Sequence, residues 1–271
     1  MKPGSTPHQS EQPADKRGRW FSGTRKFTGY MQFAMEQLGS LPPGSEVLDI
    51  PAGLGQMTDA MRSIDLRVTP SDINTVRDDY AKADMDGALP FEDDSFDAAV
   101  CMEGIEHMVD PVLLVGELVR VTRPGGMVIV STPNISSFYS RLQFLLTGTF
   151  YQFNPAIIRD VPPGVETDRF HIAPMHFARL RYLAMYAGAE VEAVGSDRYK
   201  RKALMPLYLV LHGVGLLWRR SLFFGKRASP WAERNKDLYR WMYSPQMLFG
   251  RTMIVVFRKR SDPSEQTGGK R

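Results

Sequence analysis

The feature that most constrains the fold of this chain is a regular alternation of short apolar runs with segments of helical periodicity. The runs are rich in β-branched residues, as strands are: EVLDI (46–50), LRVTPSD (66–72), FDAAVCM (96–102) and GMVIVST (126–132). The segments that separate them, such as GQMTDAMRSI and PVLLVGELVRVT, fit helices. Strands that alternate with helices form βαβ units, so the sequence predicts an α/β fold with a doubly wound parallel sheet.

The two ends of the chain differ in composition from this alternating core. Residues 1–20 are rich in Pro, Ser, Gln and charge and lack an apolar stretch. We therefore expect a disordered tail without a secretory signal, and a protein that stays in the cytoplasm. The predicted units after this tail are a core at 21–196 with an insertion at 134–170, a basic and apolar helical segment at 197–250, a last core strand at 251–260, and a second disordered tail at 261–271.

Composition favours some partners and excludes some kinds of site. Residues 1–196 hold 17 Lys and Arg against 25 Asp and Glu, a net charge of −8, whereas residues 197–271 hold 17 against 5, a net charge of +12. The basic C-terminal part suggests an anionic partner, and phospholipid headgroups, a phosphorylated substrate and nucleic acid all fit. The single cysteine, Cys101, excludes an internal disulfide framework and leaves too few thiolates for a structural zinc site.

A glycine-bearing loop follows the first predicted strand, in the segment EVLDIPAGLGQMT (46–58). Ligands of doubly wound sheets bind outside the carboxyl ends of the strands, so this loop is a candidate ligand site. The pattern is not the G-x-G-x-x-G of dinucleotide-binding loops, because no third glycine follows and Asp49 ends the strand. An acidic residue there would repel a pyrophosphate and would suit a ligand that carries an ammonium group.

The loop and the segments after it resemble the class I S-adenosylmethionine (SAM)-dependent methyltransferases. Asp49, Pro51, Gly53 and Gly55 fall on that family's D/E-x-G-x-G-x-G motif, with proline in place of the first glycine. The segments ADMDGALPFEDDSFDAAVCMEGIEHMVDP and LVRVTRPGGMVIVSTPN resemble later family motifs, in the family's order. The resemblance spans about residues 46–196 and implies a Rossmann-like sheet of about seven strands, mostly parallel with an antiparallel C-terminal strand.

The resemblance also implies SAM as the cofactor, with S-adenosylhomocysteine as the product and no metal. The residues expected around the cofactor are Asp49, Ala52, Gly53, Gly55, Asp72, Ile73, Asp84, Met85 and Glu103. Asp72 follows the second predicted strand, where a carboxylate can accept hydrogen bonds from both ribose hydroxyls. By resemblance, Asp84 accepts from the adenine amino group, Met85 packs on the ring and Glu103 lies beside the methionine part. Gly53 and Gly55 are expected to be the positions of closest approach.

Methyl transfer to a hydroxyl needs a base, and two histidines are candidates. His107 lies in the IEH segment and His171 in DRFHIAP, and a neutral imidazole can accept a proton near pH 7. For His107 the competing interpretation is a structural role in the turn after the fourth strand. We keep both histidines as candidate catalytic residues.

Two apolar segments indicate what kind of acceptor the enzyme would use. The insertion at 134–170 carries residues that line an apolar acceptor site or lid, or cover the sheet edge, and both interpretations can hold in part: Phe138, Tyr139, Leu142, Phe144, Leu145 and Phe150. The uncharged stretch 203–218, flanked by Lys and Arg, is too short and too broken for a secure transmembrane helix. It fits either an interfacial segment on an anionic membrane or a helix packed on the core.

A hydrophobic or lipid-linked small-molecule acceptor, methylated at oxygen, reconciles these features. Similar architecture occurs in bacterial methyltransferases of quinone, lipid and surface-glycan pathways, which is a resemblance only. The protein would then work in the cytoplasm, at the inner face of the membrane. One alternative is an RNA or protein methyltransferase that uses the basic C-terminal part, although the apolar residues within that part make nucleic acid a poor fit. The other is a SAM-fold protein that binds the cofactor without turnover or serves as a partner subunit. No pattern specifies an oligomeric state.

Overall fold

A seven-stranded sheet with helices on both faces organises the chain. The computed structural model describes residues 26–155, 170–199 and 202–261. Its strands are β1 (Glu46–Asp49), β2 (Arg67–Asp72), β3 (Ala81–Lys82), β4 (Phe96–Met102), β5 (Thr122–Pro133), β6 (Ala189–Gly195) and β7 (Thr252–Lys259). Its helices are α1 (Gly29–Leu38), α2 (Gln56–Arg62), α3 (Pro111–Val121), α4 (Phe138–Thr147), α5 (Phe177–Tyr186), α6 (Met205–Phe224), α7 (Ala232–Met242) and α8 (Pro245–Phe249).

The strand order is β3-β2-β1-β4-β5-β7-β6, and β7 runs antiparallel to both of its neighbours. The remaining pairs are parallel. The predicted α/β fold, with a mostly parallel sheet and an antiparallel C-terminal strand, is therefore confirmed. The chain reverses its direction of winding between β1 and β4, and this is the point where such sheets bind ligands.

The central strands are buried on both faces, which is why they read as continuous apolar runs. Alternate residues of β5 face opposite layers: Val128 and Val130 pack with α3 and α5, whereas Met127 and Ile129 pack with α1 and α2. The start of α3 is fixed locally, because the Asp110 side chain accepts hydrogen bonds from two backbone amides of the first turn.

The C-terminal helices α6 to α8 lie between β6 and β7 in the chain. Residues of α6 and α8 pack in a small separate apolar cluster, whereas α7 packs against the main core through Leu238, Trp241 and Met242. Among the described residues, no helix is both long enough and apolar enough to cross a membrane. Several predicted segments lie outside the described residues: the tail 1–20, nearly all of the tail 261–271 and residues 156–169 of the insertion.

Candidate functional site

A cavity of about 890 Å³ opens at the carboxyl ends of β1 to β4. This volume is within the usual range for a site that binds a small molecule. Nine of the eleven predicted site residues line it: Asp49, Gly53, Asp72, Ile73, Asp84, Met85, Glu103, His107 and His171. Strands from different parts of the chain end at this edge, so the topology itself brings these side chains together. The other two predicted residues, Ala52 and Gly55, do not line the cavity.

Gly53 lines the cavity in a conformation that suits glycine. Its φ is +55°, and a Cβ added at this position would meet no atom within 4 Å. Its amide donates a hydrogen bond to Asp72 Oδ2 at 2.9 Å, and its carbonyl accepts one from the Tyr80 hydroxyl at 3.3 Å. The glycine loop is thus hydrogen-bonded to the end of β2, and the backbone at Gly53 faces open space.

Gly55 has a different role from the close approach to a ligand that the sequence suggested. Its φ is +86°, and a Cβ there would collide with the guanidinium of Arg77. That guanidinium donates to both carboxylate oxygens of Asp59, at 2.6 and 2.7 Å, and to the carbonyl of Leu54 at 2.7 Å. Gly55 therefore makes room for an arginine that holds the loop. Ala52 is buried, and its amide donates to the Ser71 carbonyl at 2.9 Å.

Pro51 lines the cavity at the family's first glycine position. Its ring packs against Gly104 in the loop after β4, where an added Cβ would lie 2.5 Å from the Pro51 Cδ atom. The proline in one loop and the glycine in the other are therefore sterically matched.

Asp49 ends β1 with a carboxyl group that is almost completely buried, since the residue is 1% exposed. Burial raises its pKa to about 7, and the nearby charge of Asp72 adds to that rise. The Thr58 hydroxyl donates a hydrogen bond to Asp49 Oδ2 at 2.5 Å and opposes the shift. A cationic group bound beside Asp49 would favour its ionised form.

Asp72 ends β2 and already accepts two backbone hydrogen bonds, from Gly53 at 2.9 Å and from Asn74 at 2.8 Å. Burial raises its pKa as well. A carboxylate has about four acceptor positions, so Asp72 keeps capacity for hydroxyl groups in the cavity. Asp84 is exposed and its Oδ1 accepts from the Asp86 amide at 3.0 Å, while Met85 packs against the core.

Glu103 follows β4 with a φ of +51°, which is uncommon for a residue with a side chain. The Ser131 hydroxyl lies 3.2 Å from its carboxylate, and its amide donates to the Ser131 carbonyl at 3.1 Å. Burial raises the pKa of Glu103 to about 7, and the positive charge of Arg251 opposes that rise. Backbone strain that places a carboxyl group in a cavity is typical of functional sites.

His107 and His171 lie side by side in the cavity wall. Their ring centroids are 4.9 Å apart and the rings are nearly perpendicular. Glu106, which is fully buried, has its Oε1 atom 4.0 Å from His171 Nε2. The ligand atoms of these three residues all lie within 4.8 Å of one another, so a divalent cation could bridge them.

The sequence reasoning missed several residues of the cavity. Arg251, directly before the last strand, lines the cavity, and so does Asp197, whose carboxylate lies 3.3 Å from the Arg251 guanidinium. A usable signal existed, because the start of an antiparallel strand lies at the edge where its parallel neighbours end. Tyr30 of α1 and Gln152 of the insertion also line the cavity.

The aromatic residues expected at an acceptor site do not line the cavity. Phe138 is buried in the apolar cluster beneath α6, and the rings of Phe144 and Phe150 stack on each other at 4.4 Å. Leu145 is 79% exposed. Part of the segment thus packs inward and part faces outward, and a role of this segment in acceptor binding stays a prediction.

Comparison with known proteins is consistent with this geometry. Residues 48–130 match the Methyltransf_11 family model, described as a methyltransferase domain. A ubiquinone biosynthesis O-methyltransferase of Xanthomonas campestris is 30% identical over 150 residues, which are 50% of this chain and 60% of that protein. One from Xylella fastidiosa is 27% identical over 171 residues, which are 58% of this chain and 65% of that protein. The chain thus spans less than two thirds of the length of these relatives.

A solved structure shows the same fold. The SAM-dependent methyltransferase of Archaeoglobus fulgidus is similar with a TM-score of 0.50 and 16% identity, over 84% of this chain and 94% of that one. At this identity the likeness concerns the fold alone. Taken with the family match and the motif residues around the cavity, it leads to one conclusion. Residues 48–130 resemble a methyltransferase domain, and the sheet that contains them has the fold of a SAM-dependent methyltransferase.

Proposed function

We propose that this protein is an enzyme that transfers a methyl group from SAM to an oxygen atom of a hydrophobic or lipid-linked acceptor. The observation that carries the proposal is the convergence of three carboxyl groups, those of Asp49, Asp72 and Glu103, in one cavity with a histidine pair. Two of these carboxyl groups have their pKa raised to about 7. Such groups favour a ligand that brings positive charge.

The residues present fit SAM at this site. Gly53 would bring backbone close to the cofactor, and Asp72 would accept from its ribose hydroxyls. Asp84 and Met85 would contact the adenine, and Asp49 and Glu103 would lie toward the cationic methionine part. When bound, SAM supplies an activated methyl group on a sulfonium. The chain's own contribution is to bind, to orient the acceptor and to exclude water.

We assign the role of base to the histidine pair, with His171 as the principal group. An acceptor hydroxyl must lose its proton as its oxygen is methylated, and the neutral imidazole can accept that proton. The Glu106 carboxylate lies 4.0 Å from His171 Nε2 and would stabilise the resulting imidazolium. The named activity of the relatives, O-methylation in ubiquinone biosynthesis, supports both oxygen as the site of transfer and a hydrophobic acceptor.

The exposed face of α6 supports an acceptor that resides in a membrane. Nine large apolar side chains of this helix are each more than a third exposed: Leu207, Leu209, Val210, Leu211, Val214, Leu216, Leu217, Trp218 and Leu222. Arg220, Lys226 and Arg227 are exposed at its C-terminal end. An apolar face with basic residues beside it suits peripheral binding to an anionic membrane, at its cytoplasmic side.

The experiment is to incubate the protein with SAM labelled in its methyl group and, separately, with bacterial lipid extract and total RNA. The proposal predicts label in the lipid extract, and an Asp72→Ala variant that transfers about tenfold less at subsaturating SAM. Label in RNA or in protein would contradict the proposed acceptor. Binding of S-adenosylhomocysteine without transfer to any extract would indicate a non-catalytic binding protein and would contradict the proposed activity.

A further inference from the structure

Two arginines lie at the small apolar cluster beneath α6, outside the cavity already described. Arg219 of α6 is only 8% exposed, and Arg141 of α4 is partly buried. Aromatic side chains surround them: Phe138 and Tyr208 stack with ring centroids 5.3 Å apart, and Tyr243 packs on the same cluster. Within residues 26–155, 170–199 and 202–261, neither arginine forms an ion pair with a carboxylate. We call Arg141 and Arg219 the arginine pair.

The contacts of Arg219 leave part of its guanidinium unused. Its Nη2 donates to the His212 carbonyl at 2.9 Å, and its Nη1 lies 2.9 Å from His212 Nδ1. A guanidinium can only donate, so Nδ1 is the acceptor and the His212 proton is on Nε2. The guanidinium also lies 4.5 Å from the centroid of the Tyr243 ring. Its buried Nε atom has no hydrogen-bond partner among the described residues.

Arg141 adds a second positive charge at the same place. Its guanidinium lies 5.8 Å from the centroid of the Phe138 ring. Burial lowers the pKa of Arg141, and the neighbouring charge of Arg219 lowers it further. Among the residues that the structure describes, the contacts of the pair are ring faces and neutral acceptors. Two like charges in apolar surroundings are unfavourable, and a bound anion would offset that cost.

We infer that the arginine pair is an anion-binding site for the phosphate or pyrophosphate group of a ligand. The planar, multi-donor guanidinium matches phosphate oxygens, and an anion here would use the free Nε donor and offset the repulsion within the pair. Arg219 and the exposed apolar side chains described above belong to the same helix, α6. A ligand with a hydrocarbon chain beside its phosphate therefore fits best. The inference deepens the proposed function, because it gives the amphiphilic acceptor a phosphorylated end.

The test uses the full-length protein and two phosphate sources. Inorganic pyrophosphate is titrated by calorimetry, and flotation compares vesicles of phosphatidylcholine alone with vesicles that also contain phosphatidic acid. The variants are Arg219→Gln and Arg141→Gln, and the matched control is Arg220→Gln, an exposed arginine on the same helix. We expect each pair variant to weaken phosphate binding about tenfold or more, roughly the loss of one charge-assisted hydrogen bond, and the control to change it less than about twofold.

Each outcome decides the inference. Binding of pyrophosphate that both pair variants weaken supports a soluble phosphorylated ligand, and preference for phosphatidic acid vesicles that both weaken supports a lipid headgroup. Unchanged binding in both pair variants, or no binding to either source, overturns the inference. Should Arg219→Gln fail to fold, Arg141→Gln decides. Binding of S-adenosylhomocysteine, measured on the same samples, separates failure of this inference from failure of the proposed function.

Discussion

Replacement of Asp49 by asparagine tests whether this buried carboxyl group, which suits a positively charged ligand, destabilises the ligand-free protein. Asp49 is buried at the end of β1 and accepts a hydrogen bond from Thr58. Asparagine has nearly the same shape, and its carbonyl oxygen can accept the same hydrogen bond. The substitution therefore removes the titration of the carboxyl group and little else.

The expected magnitude follows from the pKa of Asp49, which burial raises from 3.8 to about 7. Between these two values the folded state binds more protons than the unfolded state, so the free energy of unfolding falls as the pH rises. Below pH 3.8 the carboxyl group is protonated in both states, so it causes no loss of stability. Above about pH 7 it is ionised in both states, and the loss is complete. One pKa unit corresponds to about 1.4 kcal/mol, so the wild type should lose about 2 to 3 kcal/mol between about pH 5 and about pH 8 through this group.

Urea denaturation of the ligand-free protein at several pH values measures this loss. The stability of Asp49→Asn relative to the wild type should rise by about 2 to 3 kcal/mol between about pH 5 and about pH 8, while its affinity for S-adenosylhomocysteine falls. The control is Asp79→Asn, an exposed carboxylate paired with Arg62, for which the relative stability should stay within about 0.5 kcal/mol throughout. A stability difference for Asp49→Asn that is independent of pH would refute the reasoning.

Three further predictions follow from other parts of the structure. Gly104→Ala should cost about 1 to 3 kcal/mol of stability and weaken S-adenosylhomocysteine binding, because the added Cβ displaces Pro51; unchanged denaturation and affinity would argue against this contact. His171→Gln should lower kcat about a hundredfold and leave cofactor affinity within about twofold, because it removes the base. Wild-type activity should survive dialysis against EDTA, and a rate that falls with the chelator would indicate a metal instead of a base. Replacing Leu217 and Trp218 by serine should weaken flotation with anionic vesicles about tenfold or more without changing cofactor affinity, and equal flotation would exclude α6 as the contact.

The fold could be predicted from the sequence because its signals are local. Buried parallel strands require continuous apolar runs, and the helices between them are long enough to show their periodicity. The exception is β3, which consists of two residues, Ala81 and Lys82, and is too short to leave a pattern. Ala81 and Lys82 pair with Ser71 and Asp72 at the end of β2, so the composition of β3 does not reveal this pairing.

Most residues of the cavity could be predicted because they follow strands or lie in motif segments, as Asp72 and Glu103 do. The other features of the site depend on packing between segments that are distant in the sequence. Gly55 faces Arg77 and not the ligand space, because an ion pair with Asp59 holds that arginine over the loop. The burial of Glu106 beside His171 depends on two segments more than sixty residues apart, which no local pattern reveals.

The measurement that tests the central claim most directly is calorimetric titration of the full chain with S-adenosylhomocysteine, alongside Asp72→Ala and Asp84→Ala. Asp84 is the cleaner position, because it is exposed and accepts a local hydrogen bond from the Asp86 amide. The account predicts micromolar binding by the wild type and a loss of about tenfold in each variant, roughly one hydrogen bond. Absence of binding by the folded wild type, or an affinity in both variants equal to that of the wild type, would contradict a SAM site in this cavity.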